Sequence, residues 1–112
     1  MTGPAGDRDI GKAIGIIETR GVVALTAGIE AMMKTADVQT IAVERISSGY
    51  LAAAVRGSLA AVRQAVAAGS KAVEQYGELR AAQVYPKPHE HSAALLANGT
   101  SDRLARAIEA AP

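Results

Sequence analysis

Two groupings of residues have types that could do chemistry. His89 and His91 flank Glu90, and two imidazoles with a carboxylate make good zinc or iron ligands when they converge. Their spacing works against it. Residues two apart point to opposite sides of a strand and lie about 200° apart on a helix, so the two rings would not share one ion. Surface histidines following a proline turn are expected instead. Gly6-x-x-x-x-Gly11-Lys12 meets the first part of the phosphate-loop pattern, but Ala13 stands where a Ser or Thr hydroxyl must reach magnesium. A strand is expected after it, whereas the phosphate cradle needs a helix N-terminus. No Ser-His-Asp set is legible, because both histidines lie beyond the last expected strand. The sequence therefore implies no catalytic constellation, no metal and no cofactor, and a small enzyme is the least supported reading.

The elements around these groupings follow from apolar spacing. Residues 1–10 contain Gly3, Pro4 and Gly6 without a periodic apolar pattern and read as a mobile tail. Ala13 to Glu18 is short and rich in Ile, which suits a strand. Val22, Leu25, Ile29, Met32 and Met33 recur at helical intervals and predict a helix from Val22 to Ala36. Val38 to Arg45 and Tyr50 to Val55 read as two strands joined through Ser47-Ser48-Gly49 as a hairpin. Ser58 is placed to cap a helix carrying Leu59, Val62, Val66 and Val73, with Gly77 as its stop. Gly69 falls inside that pattern and costs about 1 kcal/mol against Ala, so either the helix breaks there or its backbone packs closely against something. Glu78 to Tyr85 reads as a fourth strand, ended by Pro86 and Pro88. A short helix could run from His89 to Ala97, and Asp102 could cap a last one through Ile108. The order is β-α-β-β-α-β, the α+β ferredoxin-like arrangement with a four-stranded antiparallel sheet, two helices on one face and a short C-terminal helix.

Composition narrows the function further. At 112 residues the chain is one domain's worth, and 49% hydrophobic with 21% charged residues supplies a core. A net charge of +1 gives no surplus to drive nucleic-acid or anionic-membrane binding. The absence of Trp and Phe, with three Tyr, removes the aromatic platforms on which RNA bases stack. The absence of cysteine excludes disulfides and thiolate chemistry and fits a reducing compartment. No apolar run approaches the roughly 20 residues of a membrane helix, and the opening residues are unlike a targeting peptide. A cytoplasmic protein without nucleic-acid or membrane partners is expected.

Three stretches, AIGIIETRGVVALTAGIEAMMKTADV, VERISSGYLAAAVRGSLAAVRQAVAAG and GELRAAQVYPKPH, together resemble the hexameric BMC-domain shell proteins of bacterial microcompartments. Together they cover nearly everything from Lys12 to His89, with the spacing between them intact. The resemblance implies a BMC domain over 11–98, a C-terminal tail over 99–112 and a homohexamer forming a flat tile. Tiles join with neighbouring shell hexamers and other shell proteins into a shell around encapsulated enzymes. The family's pore turn, usually Lys-Ile-Gly-Ser-Gly, is similar to Arg45-Ile46-Ser47-Ser48-Gly49, so Ser47, Ser48 and Gly49 would line a pore for small polar or anionic solutes, with Arg45 and Ile46 near it. Ser47 departs from the family's glycine. The family's edge lysine is similar to Lys34, four residues after Glu30. On a helix that spacing alone gives a solvated ion pair contributing about 0.3 kcal/mol; the resemblance implies contact with the next hexamer. Pro86-Lys87-Pro88-His89 is similar to the family's Pro-Arg-Pro-His edge turn, with Lys87 in place of the guanidinium. The alternative reading is an oligomeric ferredoxin-like module that senses a small molecule between subunits.

Overall fold

In the computed structural model, which describes residues 13–86, 95–96 and 99–111, one of the two inner strands of the sheet is almost wholly buried. This is β1 (Ala13–Arg20), in which every residue but Arg20 is shielded. Helix α1 (Val22–Thr35) follows, then the hairpin β2 (Val38–Arg45) and β3 (Tyr50–Gly57), helix α2 (Leu59–Tyr76), β4 (Glu78–Tyr85) and helix α3 (Asp102–Ala110). The four strands lie in the order β2-β3-β1-β4, and all neighbours are antiparallel. The βαββαβ order expected from apolar spacing is the observed one.

Strand alternation divides the core into two layers, because successive side chains leave opposite faces of a sheet. Ala13 and Ile17 of β1 point toward α1 and α2, where they pack with Leu25, Met32, Val55, Val62, Val66 and Val73. Ile14 and Ile16 point the other way and pack with Ala52, Ala54, Tyr85, Leu95 and the α3 residues Leu104, Ala105 and Ile108. α1 and α2 therefore cover one face, and α3 covers part of the other.

Where the two long helices meet, bulk is excluded. A Cβ on Gly69 would lie 2.7 Å from Met32 Cγ and 3.2 Å from the Gly28 carbonyl. Gly69 thus remains helical and is the point at which α2 approaches α1. The close approach also explains a departure in α1. Its inward residues are Ala24, Leu25, Gly28 and Met32, while Val22 and Met33, expected inside, are 68% and 46% exposed. A helix that packs against its neighbour through Gly28 has its buried stripe centred on small residues, which leaves the flanking large ones outside.

The helix ends follow polar capping. Ser58 accepts a hydrogen bond from the Ala61 N–H at 3.0 Å, and the Gly77 N–H closes α2 on the Val73 carbonyl at 2.9 Å. At α3 the cap is Ser101 rather than Asp102: its hydroxyl accepts from the Leu104 N–H at 3.1 Å. Asp102 is the first helical residue, where its charge favours the helix dipole, and α3 continues past Ile108 to Ala110. Of the helix expected over His89 to Ala97, only Leu95 and Leu96 are described, both helical. The tail 1–10 and the His89-Glu90-His91 and Gly6-to-Lys12 groupings lie outside the described residues. Among the described residues no helix is long and apolar enough to cross a membrane.

Candidate functional site: the hairpin turn and the far end of the sheet

The β2–β3 connection, residues 46–49, contains a turn with positive φ at both central residues, 55° at Ser48 and 82° at Gly49. That is a type I′ turn, whose twist matches that of the flanking strands. The Tyr50 N–H donates to the Ser47 carbonyl at 2.9 Å, and the Ile46 N–H donates to the Tyr50 carbonyl at 2.9 Å. Gly49 takes its conformation without steric cost, whereas Ser48 carries a left-handed backbone that costs a non-glycine residue roughly 1–2 kcal/mol. The position that departs from the family's glycine, Ser47, lies outside the left-handed region, so the turn accommodates its side chain.

Ser47, Ser48 and Gly49 are all exposed, as is Arg45. Ile46 is half-buried and packs against the core layer under α3. The turn thus presents two hydroxymethyl groups and a bare backbone to solvent, with no large side chain among its three tip residues. Such a surface offers hydrogen bonds to small polar solutes and little to bulky apolar ones.

Beside the turn is a polar cluster that sequence spacing did not reveal. The Tyr50 hydroxyl donates to Glu78 Oε2 at 3.0 Å. The guanidinium carbons of Arg80 and Arg20 lie 4.8 Å and 5.6 Å from the centroid of the Tyr50 ring, within cation–π range. Arg80 Nε also faces Glu18 Oε1 at 3.8 Å. These residues come from three neighbouring strands, with Arg20 paired in register to Tyr50 on one side and Glu78 on the other. Next to the cluster, Arg103 of α3 reaches Glu44 of β2 at 3.3 Å and ties the C-terminal helix to the hairpin.

Of the remaining sequence-derived residues, the described ones are Glu30, Lys34 and Pro86, and they lie away from the turn. β1 ends beside the turn, and its eight residues carry the sheet back roughly 23 Å at about 3.3 Å per residue. α1 starts at Val22, next to the turn end, and runs back over the sheet to Lys34 in its last turn. β4 also runs away from the turn end, from Glu78 opposite Arg20 to Tyr85 opposite Ile14, so Pro86 follows at the far end. Lys34 and Pro86 therefore share one end of the molecule and the Ser47-Ser48-Gly49 turn occupies the other. Both are exposed, as is Glu30. Glu30 and Lys34 do not pair with each other, contrary to the ion pair that their spacing predicts. Lys87, Pro88 and His89 lie outside the described residues.

An antiparallel βαββαβ sheet with a bare polar turn at one end and an exposed lysine at the other defines an α+β protein organised by its two ends. Comparison with known proteins gives the family. Residues 13–88 match the family model of the BMC domain. The chain is 38% identical over 90 residues to the bacterial microcompartment shell protein PduA of Citrobacter freundii, a match covering 80% of this chain and 97% of that protein. It is 45% identical over 78 residues to the shell protein EutM of Salmonella typhimurium, covering 70% of this chain and 81% of that one. A solved microcompartment protein from Desulfitobacterium hafniense DCB superposes with a TM-score of 0.67 at 30% identity, over 76% of this chain. This chain spans 48% of that longer one. The chain belongs to the BMC domain family and is a bacterial microcompartment shell protein, structural and non-enzymatic. Helix α3 lies beyond the matched residues.

Proposed function

We propose that this chain forms a hexameric tile of the shell, with the Ser47-Ser48-Gly49 turns of its copies around a central pore and Lys34 with the Pro86-to-His89 segment at the outer edge. Residues 11–98 are the tile unit and 99–112 an appendage to it. The observation that carries this reading is the placement of the turn and of Lys34 at opposite ends of one sheet. A pore at a symmetry axis and a contact at the rim need that separation. A further support lies beside the turn end, where Val22, Val23 and Tyr76 are 68%, 66% and 62% exposed and border one apolar groove. Exposed apolar residues grouped in this way mark contact surfaces, and a neighbouring copy around the axis would cover them.

Pore selectivity would follow from the turn. Ser47 and Ser48 hydroxyls and the Gly49 backbone, repeated around the axis, favour passage of small polar or anionic metabolites. Tiles joined through Lys34 would enclose the compartment's enzymes. Sedimentation of the full chain tests the assembly: the expected particle is about 68 kDa, six times the 11.4 kDa chain, and a stable monomer at high concentration would falsify it.

A further inference from the structure

We propose that Tyr50 is a positioning residue for the pore turn, tying it through its ring and hydroxyl to β1 and β4. The inference rests on reading that turn as the pore lining, but its first readout does not depend on it.

Three features call for an anchor at this position. First, β2 is an edge strand, so the turn is braced across the sheet only through β3. Second, Ser48 is held at φ 55°, a conformation that persists only where the surroundings over-determine it. Third, Tyr50 is the residue whose N–H and C=O both close the turn, on the Ser47 carbonyl and the Ile46 N–H. Whatever fixes Tyr50 fixes the turn.

Its side chain is fixed from two strands. The hydroxyl reaches across the end of β1 to Glu78 of β4, and the ring receives the Arg20 and Arg80 guanidiniums. Arg80 reaches the ring because the β1–β4 ladder slips by one residue between Glu18 and Thr19. Leu79 pairs with Thr19 and Ala81 with Glu18, which leaves Arg80 as the extra residue of a bulge. Bulges re-aim side chains; here the bulged arginine stands between Tyr50 and the carboxylate of Glu18, a residue only 8% exposed. The cluster thus transmits the rigidity of the buried β1 to a turn that is itself fully exposed.

Hydrogen exchange on the assembled wild-type protein and its variants tests this, read at the Ile46 and Tyr50 amides. In Tyr50→Phe, which keeps the ring and loses the donor, both amides are expected to exchange about tenfold faster, as loss of one hydrogen bond to a charged acceptor implies. Tyr50→Leu is expected to exceed that. Glu78→Gln, which keeps an accepting oxygen, should stay near the wild-type rate, while Glu78→Ala should match Tyr50→Phe. Core amides of α2 should be unchanged throughout. Wild-type rates at Ile46 and Tyr50 in both Tyr50 variants would overturn the proposal, and so would acceleration that merely follows the α2 core. Solute flux through assembled shells is the second readout. Altered flux in Tyr50→Leu supports the positioning role in permeation; a loosened turn with unaltered flux overturns the reading of the turn as the pore.

Discussion

The helix-covered face of the sheet and its hairpin end are held by different forces. Under α1 and α2 the contacts are apolar and closed: Ile17, Met32, Val62 and Val73 have 0% exposure, and the helices approach until only glycine fits between them. At the hairpin end the turn is open to water and is held by backbone hydrogen bonds, a tyrosine hydroxyl and two arginines. Burial is non-directional and scales with apolar area, so it fixes the sheet against the helices without specifying the shape of an exposed loop. Hydrogen bonds and cation–π contacts contribute less, about 0.5–1.5 kcal/mol each, but they are directional. The molecule thus uses bulk burial to hold the fold and oriented polar contacts to shape the surface that would meet a solute.

Substitutions at the two regions should differ accordingly. Ile17→Ala, in the closed layer, is expected to destabilise the fold by about 3 kcal/mol through lost burial and a cavity, measured by denaturant unfolding of the assembled protein. A loss under 1 kcal/mol would mean that the layer is not close-packed. Gly49→Val, at the open end, should cost about 2 kcal/mol because a β-branched residue cannot adopt φ 82° without strain. The cost should appear as faster exchange at the hairpin before α2 loosens; simultaneous loss at both would erase the distinction between the regions. Smaller still is Thr19→Val. The Thr19 hydroxyl is buried without a hydrogen-bond partner, so replacing it by a methyl should stabilise by about 1 kcal/mol. Destabilisation would indicate that the hydroxyl finds a partner in the assembly.

The two regions also differed in how far the sequence disclosed them. The closed layer was legible because periodicity reports which side chains face inward. Val38 to Arg45 and Glu78 to Tyr85 begin and end where spacing, turns and prolines place them. Misreadings in that layer came from backbone proximity. Val22 and Met33 fit the helical repeat but lie outside, since the contact of α1 with α2 is centred on Gly28 and Gly69, which no apolar count registers. At the hairpin end, Ser48 and Gly49 stood out as a turn, but the cluster around Tyr50 did not. It depends on β1 lying between β3 and β4 and on a one-residue slip at Arg80. The first is strand order and the second is register, and both are set by the whole sheet and not by neighbouring residues. The N-cap of α3 lies one position before the expected one because Ser101 and Asp102 are both good capping residues, and sequence does not rank them.

The central claim, that one end of the sheet serves the pore and the other the joint between tiles, is tested most directly by Lys34→Ala, examined by sedimentation and by electron microscopy of the same preparation. Lys34 is exposed, so its truncation should change stability by less than about 0.5 kcal/mol. The account predicts an intact hexamer near 68 kDa, six times the 11.4 kDa chain, that no longer forms extended sheets. Hexamers that dissociate, or sheets indistinguishable from those of the unaltered protein, would contradict it.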